Sequence, residues 1–203
     1  MPTKGIVYAS IHRIRLGFII VLGFAVSLAM CAGAYAQSCT SPCSIWPPTA
    51  TPAVTAATVD PSAIEVGVKF QASVSGSITG IRFYKGSTNT GTHVGSLWSS
   101  TGTLLASVPF SNETASGWQQ ASFATPVAIT ANTTYVVSYH TNVGNYAYNY
   151  DYFTATGVTT GPLTALSNAA GGGNGVYQYS AASAFPTQTY RSMNYWVDVV
   201  FQP

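Results

Sequence analysis

The chain has 203 residues, 47% of them hydrophobic and only 6% charged, with a formal net charge of +2. So apolar a composition excludes a disordered chain. So thin a charge, against about 25% in an ordinary soluble domain, excludes the basic footprint of a nucleic-acid binder and leaves Ser, Thr, Asn, Gln and Gly to build the surface.

Residues 1–36 read as a secretory signal peptide. Lys4, His12, Arg13 and Arg15 form a basic lead, residues 16–32 are almost unbrokenly apolar, and Ala34-Tyr35-Ala36 presents small residues where a signal peptidase reads them. Cleavage is expected between Ala36 and Gln37. An uncleaved anchor is the alternative, because the apolar run approaches the roughly 17 residues of a short spanning helix. Removal takes Lys4, Arg13 and Arg15 away, leaving four basic and five acidic side chains. The expected product is extracellular, with no membrane span and no nucleic-acid partner.

Residues 37–62 are rich in Pro, Ser, Thr and Ala and read as an extended lead-in. Within them Cys39 and Cys43 flank Thr-Ser-Pro, and a disulfide between them is the expected clip after export. So short a loop would contribute less than the ~3 kcal/mol of a fifteen-residue one. The clip is expected to lie outside the core.

From residue 63 to 203 short alternating runs recur between Gly- and Asn-rich turns. Strands are expected at 66–74, 78–84, 94–98, 104–110, 118–123, 134–140, 146–153, 176–179 and 195–201. Ser75-Gly76-Ser77 and residues 99–103 read as hairpin turns. Residues 168–175, NAAGGGNG, read as a flexible loop. About nine short strands without helical periodicity predict an all-β, two-sheet antiparallel sandwich, jelly-roll-like, with the first and last strands paired or side by side.

Several separate motifs agree in order and spacing with one family. They are Val66-Gly67-Val68-Lys69-Phe70, Gly80-Ile81-Arg82-Phe83-Tyr84-Lys85-Gly86, Gly91-Thr92-His93-Val94-Gly95-Ser96-Leu97-Trp98, Gly117-Trp118-Gln119-Gln120, Phe185-Pro186-Thr187-Gln188 and Asn194-Tyr195-Trp196-Val197-Asp198-Val199. Over about residues 44–201 the chain closely resembles the secreted bacterial domain of unknown function 4082 family. The resemblance implies a β-sandwich with an accessory role and carries over no activity or ligand. The tyrosine-rich stretch 146–152 departs from the family's pattern.

That stretch is the leading ligand candidate. Tyr146, Tyr148, Tyr150 and Tyr152 are spaced by two and would share one face of a strand. A row of phenol faces suits stacking on pyranose rings, with Asn149 beside it as a hydrogen-bonding partner. The structural alternative packs these rings into the core with their hydroxyls at its margin. Burial is the default for Trp98, Trp118 and Trp196. Glu65, before the first strand, and Asp198, in the last, could meet at one edge and hold a structural calcium. The alternative pairs Asp198 with Arg82, Lys69 or Arg191. Arg82 is expected to find a carboxylate or an aromatic face.

Catalysis has little to draw on. After signal removal only His93 and His140 remain, with no Gly-x-Ser-x-Gly elbow and no HExxH spacing. Glu113, in the polar turn SNETASG, is expected to be solvated or to cap a helix. The chain therefore reads as a non-catalytic binding module for a glycan or cell-surface polymer. A structural or adhesive module docking to an extracellular protein is the alternative, and an exported hydrolase the third reading.

Overall fold

The computed structural model describes residues 1–2 and 42–203. The expected signal peptide and Cys39 lie outside the described residues, so the Cys39–Cys43 clip does too. Among the described residues no helix is long and apolar enough to cross a membrane.

Eleven strands form among the described residues: β1 (Ile64–Ala72), β2 (Gly76–Lys85), β3 (His93–Ser99), β4 (Leu104–Pro109), β5 (Gly117–Ile129), β6 (Tyr135–Thr141), β7 (Val158–Thr160), β8 (Leu163–Ala165), β9 (Val176–Tyr179), β10 (Gln188–Thr189) and β11 (Val197–Gln202). They make an antiparallel two-sheet sandwich. The larger sheet runs β10-β9-β1-β6-β3-β4, with β8 also on β1 and β7 on β8; the smaller runs β11-β2-β5.

Strict alternation builds the core. On β1, Ile64, Val66, Val68, Phe70 and Ala72 are all buried and point one way, leaving Glu65 and Lys69 on the opposite face. On β2 the register shifts between Ile78 and Gly80, so Ile78, Ile81 and Phe83 all reach the core despite their uneven spacing. Val197, Val199 and Phe201 on β11 meet them. Each fully buried side chain of this size contributes about 1.5–3 kcal/mol.

Three expectations about strands and their pairing are corrected. Ser75-Gly76-Ser77 does not close a hairpin, because β1 pairs with β6, β8 and β9 while β2 pairs with β11 and β5. The chain crosses between sheets there, since both strands have an apolar face to bury. For the same reason β1 and β11 are not neighbours in one sheet. The third concerns residues 146–153, which make only single bridges, Val54 to Tyr148 and Asn149 to Asn194, before turning. The hairpin of β3 and β4 forms as expected.

The lead-in is a layer of the fold. Cys43, Ile45, Trp46 and Ala57 are buried, and Cys43 exchanges two backbone hydrogen bonds of 2.8 Å with Phe201. Cys43 thus lies in the core, where the sequence placed it outside. Loop 168–175 is pinned as well. The buried Asn174 side chain accepts from the Lys69 N–H at 2.8 Å and donates to the carbonyls of Lys69 and Leu166 at 3.0 and 2.7 Å.

Candidate functional site

The lead-in, the segment after β6, β9 and the approach to β11 meet at one end of the larger sheet. They enclose a cleft of about 430 Å³ lined by Val59, Asp60, Tyr146, Tyr177, Tyr179, Tyr190 and Tyr195. Tyr195 and Tyr146 are buried and form its floor, their rings 5.4 Å apart and edge to face. Tyr177 and Tyr179 project from β9 two residues apart, so both fall on one face, with centroids 5.7 Å apart. Tyr179 and Tyr190 are 48% and 53% exposed and form the rim.

Asp60 is the carboxylate of this cleft. Its Oδ2 accepts hydrogen bonds from the hydroxyls of Tyr146 at 2.9 Å and Tyr179 at 2.7 Å. Its backbone is tied down by Asp60 N–H to Ala57 O at 2.9 Å and by Asn145 N–H to Asp60 O at 3.1 Å. Gly144 lets the two segments approach. It sits at a φ of +58°, and a Cβ there would fall 2.0 Å from the Asp60 carbonyl oxygen. Burial and the Asp60 carboxylate together hold the Tyr146 phenol far above its ordinary pKa and raise that of Tyr179 to about 12. Both phenols are therefore protonated donors at any physiological pH.

Three of the four tyrosines of the expected ladder stay in a row. Tyr146, Tyr148 and Tyr150 follow one another at 6.1 and 4.7 Å, and Tyr150 reaches Tyr190 at 6.5 Å, so the row runs on from the cleft. Tyr150 is 46% exposed and carries Arg191 over its ring at 4.3 Å. Tyr152 leaves the row. Asp151 takes a φ of +55° and donates its N–H to Arg191 O, which breaks the strand period. Tyr152 instead packs on Trp196 and accepts a hydrogen bond from Trp46 Nε1 at 3.2 Å. Asn149 is likewise occupied internally, its Oδ1 accepting from Ala53 N–H at 2.8 Å and Trp196 Nε1 at 2.9 Å.

The two carboxylates proposed for calcium find separate partners in separate sheets. Asp198, on β11, accepts from Arg82 Nη2 at 2.9 Å and from the N–H groups of Ile45, Trp46 and Val199. Arg82 also stacks on Trp118 at 4.4 Å, meeting both expectations for it. Glu65, on β1, accepts from the Ser138 hydroxyl and, at 3.4 Å, from Ala184 N–H. Among the described residues no group of three or more His, Cys, Asp or Glu could hold a metal. Glu113 is not a solvated turn residue. It is almost buried and bonds Lys85 Nζ and His93 Nδ1, each at 2.8 Å.

Among the described residues Glu65 has no cationic partner, and burial pushes its pKa up to about 7. The folded chain thus keeps the Glu65 proton to higher pH than the unfolded chain does, so its contribution to stability falls as pH rises from about 4.5 to about 7. Urea unfolding of wild type and Glu65→Gln at several pH values reads this directly. Wild type should lose about 3 kcal/mol relative to the variant across that window. A constant difference would contradict the assignment.

Sequence reasoning missed Asp60, Tyr177, Tyr179, Tyr190 and Tyr195 as one site. The Tyr177-Gln178-Tyr179 alternation was a readable signal, whereas the convergence of four segments was not.

The family model described as Domain of unknown function (DUF4082) matches residues 49–197 of the chain. No curated protein and no solved structure gives a significant match.

Proposed function

We propose that this chain, which belongs to the domain of unknown function 4082 family, is a secreted, non-catalytic binding module whose tyrosine cleft takes a glycan. One observation carries the reading. Every exposed aromatic side chain among the described residues, Tyr150, Tyr179 and Tyr190, lines or adjoins this cleft. Exposed aromatic rings lose hydration favourably when apolar surface covers them, and the flat C–H face of a pyranose covers a ring face well. Buried phenols and Asp60 supply fixed polar groups for hydroxyl recognition, the mix of apolar walls and few polar anchors usual in ligand sites.

Among the described residues Asp60 is the single carboxylate lining the cleft, which favours binding over hydrolysis, because glycoside hydrolysis ordinarily places two carboxyl groups across the scissile bond. The expected disulfide at Cys39–Cys43 and the signal peptide fit an exported module. A protein partner is the second reading, favoured by Leu104 and Leu105, 49% and 38% exposed on the outer strand β4.

A panel of soluble glycans and insoluble polysaccharides, presented to the purified chain, tests the proposal. Retention on one polymer class, lost on Tyr150→Ala with the melting temperature unchanged, is the expected result. Retention on none of them would move the function to the protein-docking reading.

A further inference from the structure

The carboxylate that anchors the cleft finds no counter-ion among the described residues. Of the described cationic side chains, Arg82 pairs with Asp198, Lys85 with Glu113 and Arg191 with Asp151, while Lys69 Nζ bonds the Gly171 carbonyl at 2.8 Å. His93 is held by Glu113, and His140 Nε2 lies 3.0 Å from the Ser180 carbonyl oxygen. Among the described residues Asp60 receives only the two phenol hydroxyls, both on Oδ2. Such bonds disperse part of the negative charge and neutralise none of it.

The rest of the cleft has the same polarity. Tyr177, Tyr179, Tyr190 and Tyr195 line it, and the face of a phenol ring carries the negative side of an aromatic quadrupole. In a concave site walled largely by protein these contributions add, and the field is focused into the opening. A neutral ring seated there would gain stacking but would strip water from an unpaired carboxylate, which is costly. A cation in the same place repays that desolvation, gains cation–π attraction from the phenol faces and completes the ion pair.

We propose that the sugar unit seated in this cleft carries a protonated amine, as a 2-amino-2-deoxyhexose does once its acetyl group is removed. The inference rests on the glycan reading above and names its ligand class. The ammonium lies against Asp60, the pyranose face against the Tyr179 and Tyr190 rim, and the amine supplies the donors that Asp60 can accept.

Calorimetric titration with three hexasaccharides separates the alternatives: glucosamine, N-acetylglucosamine and neutral β-glucan. The glucosamine oligomer should bind about tenfold or more tighter than the other two. Asp60→Asn keeps both phenol hydrogen bonds in reach and removes only the charge, so this preference should collapse while the melting temperature holds. Independently of any variant, added salt should weaken the glucosamine oligomer and leave the neutral one unaffected. Equal binding of all three oligomers, or a preference that survives in Asp60→Asn, overturns the charge inference and leaves the glycan reading standing. No binding of the glucosamine oligomer by the folded chain overturns the amino-sugar assignment, and the glycan reading falls with it only if the wider polysaccharide panel is also not retained. Choline binding more tightly than the glucosamine oligomer would make the cleft a quaternary-ammonium cage and overturn the amino-sugar assignment.

Discussion

Asp198→Ala should cost about 3–5 kcal/mol of folding stability, the largest single effect expected in this chain. Asp198 is fully buried on β11, directly across from Arg82 on β2. Removing it strands the Arg82 guanidinium, which is itself buried and holds Trp46 O at 2.8 Å. It also frees the N–H groups of Ile45 and Trp46, which reach Asp198 at 2.8 and 3.2 Å. The lead-in would lose its fastening to the small sheet along with the ion pair. Burial raises the Asp198 pKa, and Arg82 with the three N–H donors holds the net rise to about 6, which leaves the carboxylate ionised and the pair intact at neutral pH. Denaturant unfolding at neutral pH measures the loss. A loss below about 1 kcal/mol would mean that the pair is as weak as a surface ion pair.

Glu113→Gln is the second large effect, at about 3 kcal/mol. Lys85 continues the inward face of β2, so its ammonium arrives in a nearly buried site and depends on Glu113 for its counter-charge. The same carboxylate orients His93, which packs on Phe83 at 4.9 Å and whose Nε2 lies 2.9 Å from Asn89 Oδ1. Burial lowers the His93 pKa, against the pull of Glu113, and the amide would remove that pull and lower it further. Unfolding midpoints of wild type and Glu113→Gln check the cost, and an unchanged midpoint would show that Lys85 finds water instead.

Neither network was legible from the sequence, and the reason is geometric. Arg82 and Lys85 stand three apart on one strand and so face opposite sides, each meeting a carboxylate far along the chain. Strands β1 to β6, β9 and β11 were readable from runs of apolar and aromatic residues between turn signals, cleanest on β1, where the buried side chains repeat every second residue. Strands β7, β8 and β10 span two or three residues and carry too short a period to detect. The lead-in was misjudged because its Pro and Ala content hides two buried anchors, Ile45 and Trp46. The tyrosine row was legible up to Tyr150. Its end was not, since the left-handed turn at Asp151 leaves no mark in an alternating pattern. The cleft draws on residues from 59 to 195, and only the pairing of β9 with β1 brings Tyr177 and Tyr179 beside Asp60.

The central claim is that the rim tyrosines of this cleft hold a sugar ring. The most direct measurement compares the affinity of the best-retained glycan for wild type with that for the double variant Tyr179→Ala, Tyr190→Ala. Both side chains are about half exposed, so the variant should fold with a melting temperature close to wild type. The account predicts a loss of at least about tenfold in affinity, in line with the removal of two stacking faces. Unchanged affinity in a folded double variant would contradict it and put the glycan elsewhere on the sandwich.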